Sequence, residues 1–128
     1  MILVLSFTGN PIGCVAAIAS LELLEKEECK VAMKNIAKRH QSFAERLKSL
    51  SIIKDIRQTG TIIAIELKAD SSGYASTIRQ QLYQYFLSQG VLLRPLGNVI
   101  YILPPYCITE LELTKVYEVI EKKLIELG

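Results

Sequence analysis

The stretch that decides the fold reads Gly90-Val-Leu-Leu-Arg94-Pro95-Leu-Gly97-Asn98-Val-Ile-Tyr101-Ile-Leu-Pro104-Pro105-Tyr106. Its two apolar runs, residues 91–93 and 99–103, predict two short buried strands. The Gly97-Asn98 pair between them tolerates positive φ, which a tight hairpin turn requires. The sequence therefore predicts a hairpin with an arginine at the end of its first strand.

Arg94 is the leading candidate for a functional residue. A guanidinium next to a covered apolar strand needs a carboxylate or phosphate that accepts its planar fork of N–H donors. That acceptor is either a bound ligand or a structural partner such as Glu66. The residues alone leave both interpretations open.

Helical and extended patterns alternate along the rest of the chain. Helices are predicted at residues 11–25, 30–50 and 75–89 and after Thr109, and strands at residues 52–57 and 62–67. Asn10 and Pro11 are suited to start the first helix, and Thr109 with Glu112 forms a capping box for the last one. This order predicts an α+β fold in which a small, largely antiparallel sheet packs with helices.

The first predicted helix, residues 11–25, is apolar on nearly every side. A helix of this kind is normally buried between two layers, and 128 residues are too few to surround it. The pattern therefore implies a missing domain or a partner subunit.

Composition excludes several classes of protein. Half of the residues are apolar, which is enough for one core, and the net charge of +2 comes from interspersed basic and acidic residues. No charged surface is therefore predicted for nucleic acid or an anionic membrane. The apolar run at the N-terminus is far shorter than the roughly 20 residues that a membrane span needs. Cys14, Cys29 and Cys107 show no metal-ligand spacing, so we expect reduced thiols in the cytoplasm and no metal site.

His40, the single histidine, lies on the apolar stripe of the second predicted helix. A histidine in that place is either a general base or ligand, or a packed core residue. Nothing else in the sequence supplies a catalytic partner for it.

Three segments resemble the class III pyridoxal-phosphate-dependent aminotransferases, and among them the adenosylmethionine-8-amino-7-oxononanoate aminotransferases of biotin synthesis. The first is the stretch from Arg94 to Tyr106. The second is Ser6-Phe-Thr-Gly-Asn10-Pro11-Ile-Gly-Cys-Val-Ala-Ala, and the third is Ile56-Arg57-Gln-Thr-Gly60-Thr-Ile-Ile-Ala-Ile-Glu66-Leu. They follow the order of the family and span nearly the whole chain. The resemblance implies the C-terminal small domain of a fold-type I aminotransferase, residues 26–128, preceded by a segment and long helix, residues 1–25, that pack on a large domain absent from this chain.

The resemblance also implies a cofactor and three binding residues. Ser6 matches the position that donates to the phosphate of pyridoxal 5'-phosphate in the neighbouring subunit, so a homodimer is expected; simple helix capping is the alternative that the residues leave open. Arg94 matches the residue that binds the carboxylate of the oxononanoate substrate. Tyr101 resembles a tyrosine lining the same pocket, with a role in the core as its alternative.

The same resemblance places the Schiff-base lysine and the aspartate that holds the pyridine nitrogen before residue 1. All ten lysines of this chain fall on polar helix faces or at strand ends, so the fragment is predicted to be inactive alone. In the complete enzyme the implied reaction transfers an amino group from S-adenosylmethionine to 8-amino-7-oxononanoate. Two alternatives stay open: another class III aminotransferase acting on an ω-amino acid, a diamine or ornithine, and a non-catalytic α+β interaction module.

Overall fold

The computed structural model describes residues 10–68 and 74–128. In chain order the elements are α1 (Pro11–Glu25), α2 (Glu27–Leu47), β1 (Ile53–Thr59), β2 (Ile62–Leu67), α3 (Tyr74–Ser88), β3 (Val99–Ile102) and α4 (Glu110–Leu127). The strands form one antiparallel sheet in the order β1-β2-β3. The predicted α+β fold with a small antiparallel sheet is confirmed.

Local signals start α1 and α4 where the sequence predicted them, whereas α2 runs from Glu27 to Leu47 and not over the predicted residues 30–50. The Asn10 side chain accepts a hydrogen bond from the Ile12 amide at 3.0 Å, and Pro11 occupies the first turn of α1. Thr109 and Glu112 close the predicted capping box on α4. Lys26 adopts an extended conformation that separates α1 from α2.

The core lies on one face of the sheet. Alternate residues of β2 and β3 point into it, because successive side chains of a strand point to opposite faces. Three helices cover this face, and the fully or nearly buried residues from strands and helices form one cluster: Ile36, Phe43 and Leu47 of α2; Ile63, Ile65 and Leu67 of β2; Ile78, Leu82 and Phe86 of α3; Ile100 and Ile102 of β3; and Leu113, Tyr117, Ile120 and Leu124 of α4. Gly60, at φ +55°, makes the turn between β1 and β2, where an L side chain would be strained.

Helix α1 contributes nothing to that core. None of its residues is buried, and Ile12 and Val15 are 77% and 66% exposed. The structure therefore leaves an apolar helix uncovered, as the all-apolar pattern of residues 11–25 implied.

The predicted hairpin is shorter than expected. Residues 91–95 are extended but are not part of the sheet, and pairing with β3 is limited to a single bridge between Leu96 and Val99 around the Gly97-Asn98 turn. The ring of Pro95 fixes φ at about −65°, whereas antiparallel strands have φ of about −140°, so pairing does not continue beyond Leu96. The prediction of a strand at residues 91–93 was wrong for this reason, although Val91 and Leu93 are buried as expected.

Candidate functional site

Arg94 lies in the extended segment between α3 and β3. Burial alternates strictly there: Leu93 and Pro95 are buried, whereas Arg94 is exposed. Its backbone is therefore anchored on both sides while its guanidinium reaches solvent. Arg94 makes no hydrogen bond or ion pair to a residue that the structure describes.

Glu66 does not pair with Arg94. Its carboxylate accepts from Lys54 at 2.7 Å and from Arg57 at 3.1 Å. The register of β1 against β2 shifts between Ile53 and Asp55, in the stretch that contains Lys54. Lys54 and Arg57 both reach the Glu66 carboxylate in this arrangement. The hydrogen bond from Lys54 lowers the pKa of the Glu66 carboxyl, and Arg57 lowers it further. The structural partner that the sequence offered for Arg94 is thus already engaged elsewhere.

Arg94 lines a concavity of about 510 Å³ together with Arg79, Gln80, Tyr83 and Pro95. Helix α3 contributes three of these side chains, those of Arg79, Gln80 and Tyr83. Ile78 and Leu82 are buried in the core, so Arg79 and Tyr83, which directly follow them, lie one turn apart along one flank of the helix. Sequence reasoning missed both residues. Their spacing of four was visible, but their proximity to Arg94 depends on how α3 packs.

Tyr101 lies in a different place. On β3 it pairs with Ala64 of β2, and Ala64 pairs with Arg57 of β1, so the three residues form one row across the sheet. This row is on the face opposite the core, and Tyr101 is half-buried there. It does not line the concavity that contains Arg94. The described residues therefore do not bring the two predicted substrate residues into one cavity.

Ser6, the predicted cofactor contact, lies outside the described residues. Among the lysines, nine are exposed and Lys123 is half-buried, with its ammonium 4.8 Å from the centre of the Tyr85 ring. No lysine of the chain is buried in the apolar surroundings that activate a lysine for covalent chemistry with a carbonyl.

His40 is a packed core residue. Its ring is fully buried, with Nε2 3.0 Å from the Thr61 carbonyl oxygen and Nδ1 2.7 Å from the Tyr117 hydroxyl. A carbonyl oxygen can only accept, so Nε2 carries the hydrogen and Nδ1 accepts from Tyr117. Burial lowers the pKa of His40, which favours the neutral ring that this pattern requires. The histidine links α2, α4 and the β1–β2 turn.

The described part of the chain contains no group of three or more His, Cys, Asp or Glu side chains that could hold a metal ion. Cys14, Cys29 and Cys107 are free thiols. Across residues 10–68 and 74–128, no helix has the length and hydrophobicity needed to cross a membrane.

A family model described as aminotransferase class-III matches residues 5–124. The chain belongs to this family. Enzymes of the family use pyridoxal phosphate. The match covers all four helices and all three strands except the last residues of α4, so the small sheet and its helices are a part of the aminotransferase fold.

Individual relatives narrow the comparison within class III. The chain is 43% identical over 122 residues to an adenosylmethionine-8-amino-7-oxononanoate aminotransferase of Synechococcus elongatus, an alignment that covers 95% of this chain and 28% of that protein. The crystal structure of the enzyme with the same name from Methanocaldococcus jannaschii superposes with a TM-score of 0.74 at 33% identity, over 92% of this chain and 29% of that one. An acetylornithine aminotransferase structure from Elizabethkingia anophelis gives a TM-score of 0.76 at 29% identity, covering 92% of this chain and 30% of that one. The chain thus spans less than a third of the length of these relatives.

Proposed function

We propose that this chain is the C-terminal portion of an enzyme that transfers an amino group from S-adenosylmethionine to 8-amino-7-oxononanoate, giving 7,8-diaminononanoate in biotin synthesis. The names of its relatives support this reaction. The observation that carries the proposal is Arg94, an unpaired guanidinium among the described residues, held between two buried neighbours at the mouth of a concavity.

The proposed role of Arg94 is to bind the carboxylate of the oxononanoate. A guanidinium offers a carboxylate two parallel N–H donors, which fixes the orientation of the acid as well as its position. Because Leu93 and Pro95 anchor the backbone, the chain of the substrate would extend from a fixed point toward the cofactor. We propose that the open face of the sheet around Tyr101 borders the same substrate pocket once the rest of the enzyme is present.

Pyridoxal phosphate would carry the amino group between the two substrates. We propose that the Ser6 hydroxyl donates to the phosphate of the cofactor bound by the neighbouring subunit, which makes the enzyme a homodimer. The exposure of every lysine but one supports the proposal that the cofactor lysine lies outside this chain, and that the chain alone is inactive.

The exposed helix α1 supports a division of the chain into two structural parts. We propose that residues 1–25 pack on a large domain supplied by the rest of the enzyme, and that residues 26–128 form the small domain. The extended conformation at Lys26 coincides with this boundary. We also propose that the enzyme acts on small-molecule substrates in the cytoplasm. The three free thiols of this chain agree with that location, because the cytoplasm keeps cysteines reduced.

A chimeric enzyme tests the proposal. The matching C-terminal segment of the Synechococcus elongatus relative is replaced by this chain, and each half-reaction is followed by stopped-flow absorbance of the cofactor. The chimera should accept both S-adenosylmethionine and the oxononanoate. Arg94→Ala should lower kcat/KM for the oxononanoate half-reaction, by an amount that corresponds to a loss of about 2–4 kcal/mol in transition-state stabilisation. The reason is that it removes a charge-assisted contact made by two parallel hydrogen bonds. The amino-donor half-reaction should change much less.

The control is Lys122→Ala, which removes one charge from an exposed position of α4 that has no ion pair among the described residues. Equal losses in both half-reactions for Arg94→Ala would mean that Arg94 holds the pocket together and does not select the acid. An unchanged oxononanoate half-reaction would refute the substrate role.

A second candidate is another class III aminotransferase activity. The similarity to the acetylornithine aminotransferase structure favours it, and Arg94 would then bind a different carboxylate. The chimera distinguishes the two, because turnover with acetylornithine that exceeds turnover with S-adenosylmethionine would favour the second candidate. A chimera that folds and binds cofactor but accepts no amino donor would instead favour a non-catalytic interaction module.

A further inference from the structure

The arginines of this chain fall into two groups. Arg39, Arg46 and Arg57 pair with Glu110, Glu121 and Glu66 at 2.9–3.1 Å. Arg79 and Arg94 pair with no acid that the structure describes, and these two line the same concavity.

Among the residues that the structure describes, no carboxylate lines that concavity, and every polar side chain in this part of the lining can donate a hydrogen bond: two guanidinia, the Gln80 amide and the Tyr83 hydroxyl. Two like charges that share a cavity repel each other, and an anion between them converts this repulsion into attraction. The concavity has a volume of about 510 Å³, which is within the range of small-molecule sites.

The surroundings of Arg94 add an apolar component. Leu92 and Leu96 precede and follow it at alternate positions of the extended segment and are 65% and 67% exposed. In an extended segment alternate side chains point the same way, so the guanidinium stands between two uncovered leucines. An apolar chain with one anionic end matches this arrangement better than a compact inorganic anion does.

We propose that Arg79 is a second carboxylate-binding residue, so that the concavity takes the anionic end of an alkyl carboxylate between two guanidinia, with the Tyr83 ring as its flat wall. This inference rests on the proposed role of Arg94 in binding an acid. It adds a specificity-determining residue on α3, a helix that sequence reasoning assigned only to packing.

Binding to the 128-residue chain itself tests the inference. Heptanoate is titrated at low ionic strength and followed by amide and arginine side-chain NMR shifts, with heptanamide as the neutral probe of the same length. Heptanoate should bind and heptanamide should bind much more weakly. Arg79→Gln and Arg94→Gln should each weaken heptanoate binding by about three- to tenfold, the range between an exposed and a partly desolvated ionic contact. Lys122→Gln, which makes the same charge change at a residue that does not line the concavity, should leave the affinity unchanged.

Arg79 is exposed and makes no hydrogen bond or ion pair to a described residue, so its variant should keep the amide spectrum of the parent. Weakening by Arg94→Gln alone would overturn the role of Arg79 and leave the proposed role of Arg94 intact. Weakening by neither variant, or equal binding of heptanamide, would overturn both carboxylate contacts. Tighter binding of inorganic phosphate than of heptanoate would overturn the assignment to an alkyl carboxylate. The reaction itself is decided separately by the chimeric enzyme.

Discussion

Acidification should destabilise this chain through His40. The neutral ring donates from Nε2 to Thr61 and accepts at Nδ1 from Tyr117, and burial lowers its pKa in the folded state. Because the unfolded chain then binds the proton more readily, the stabilisation is fully present above the unfolded pKa of 6.5 and is lost as the pH falls below it. The loss stops once the pH passes the lower pKa of the folded state.

The loss of unfolding free energy on acidification has an upper limit. One group changes the free energy of unfolding by at most about 1.4 kcal/mol per pH unit. With an unfolded pKa of 6.5 the ring is on average half protonated in the unfolded chain between about pH 7.5 and pH 5.5, so the loss over these two pH units cannot exceed about 1.4 kcal/mol. His40 is the only histidine in the sequence, and in the described part of the chain the two carboxyls with shifted pKa values, Glu66 and Glu112, both have them lowered from 4.5, away from this window. The part of the slope in this window that His40→Gln removes can therefore be assigned to this ring.

Urea denaturation followed by circular dichroism at several pH values measures the slope. His40→Gln removes the titrating group and should flatten the dependence while lowering stability at every pH. Tyr117→Phe leaves Nδ1 of His40 without its donor. It should lower the free energy of unfolding by about 1–2 kcal/mol at about pH 7.5, as is usual for a buried polar group that loses its hydrogen bond. A stability that is constant from about pH 7.5 to pH 5.5 in the parent chain, or a slope that survives His40→Gln, would refute the reasoning.

Three further predictions concern the cofactor, association and helix capping. The chain alone should bind pyridoxal phosphate weakly, and borohydride treatment should label no single lysine; a stoichiometric label at one lysine, located by mass spectrometry, would contradict this. Because α1 is uncovered, the chain should self-associate and bind hydrophobic dyes, and Val15→Glu with Ile18→Glu should shift it toward monomer in sedimentation experiments, whereas Lys34→Glu on α2 should not. Thr109→Ala removes the side-chain acceptor for the Glu112 amide and should lower the unfolding free energy by about 1 kcal/mol in urea denaturation, with Ser88→Ala as a comparison substitution at an exposed hydroxyl.

Features that depend on neighbours in sequence were predictable. Asn10 with Pro11 and Thr109 with Glu112 act within one helical turn, so the residues alone specify where α1 and α4 begin. The Gly97-Asn98 turn was predicted for the same reason, whereas the strand before it failed because a single proline interrupts the ladder.

Features that depend on packing were not predictable. The engagement of Glu66 by Lys54 and Arg57 depends on strand register and on an irregularity in β1, neither of which a pattern of residue types specifies. The joint lining of one concavity by Arg79 and Arg94 depends on how α3 lies beside the segment that follows it. The sequence therefore predicted a role for Arg94 but not which residues line the concavity with it.

Strand β1 has a consequence for how copies of this chain meet. It lies at one edge of the sheet, and Lys54, Asp55 and Arg57 along it are charged and exposed. Charges and an irregular register at an edge strand oppose the addition of a further strand from another molecule. Growth into amyloid-like fibrils through this edge is therefore disfavoured, even among copies that associate through the apolar surface of α1.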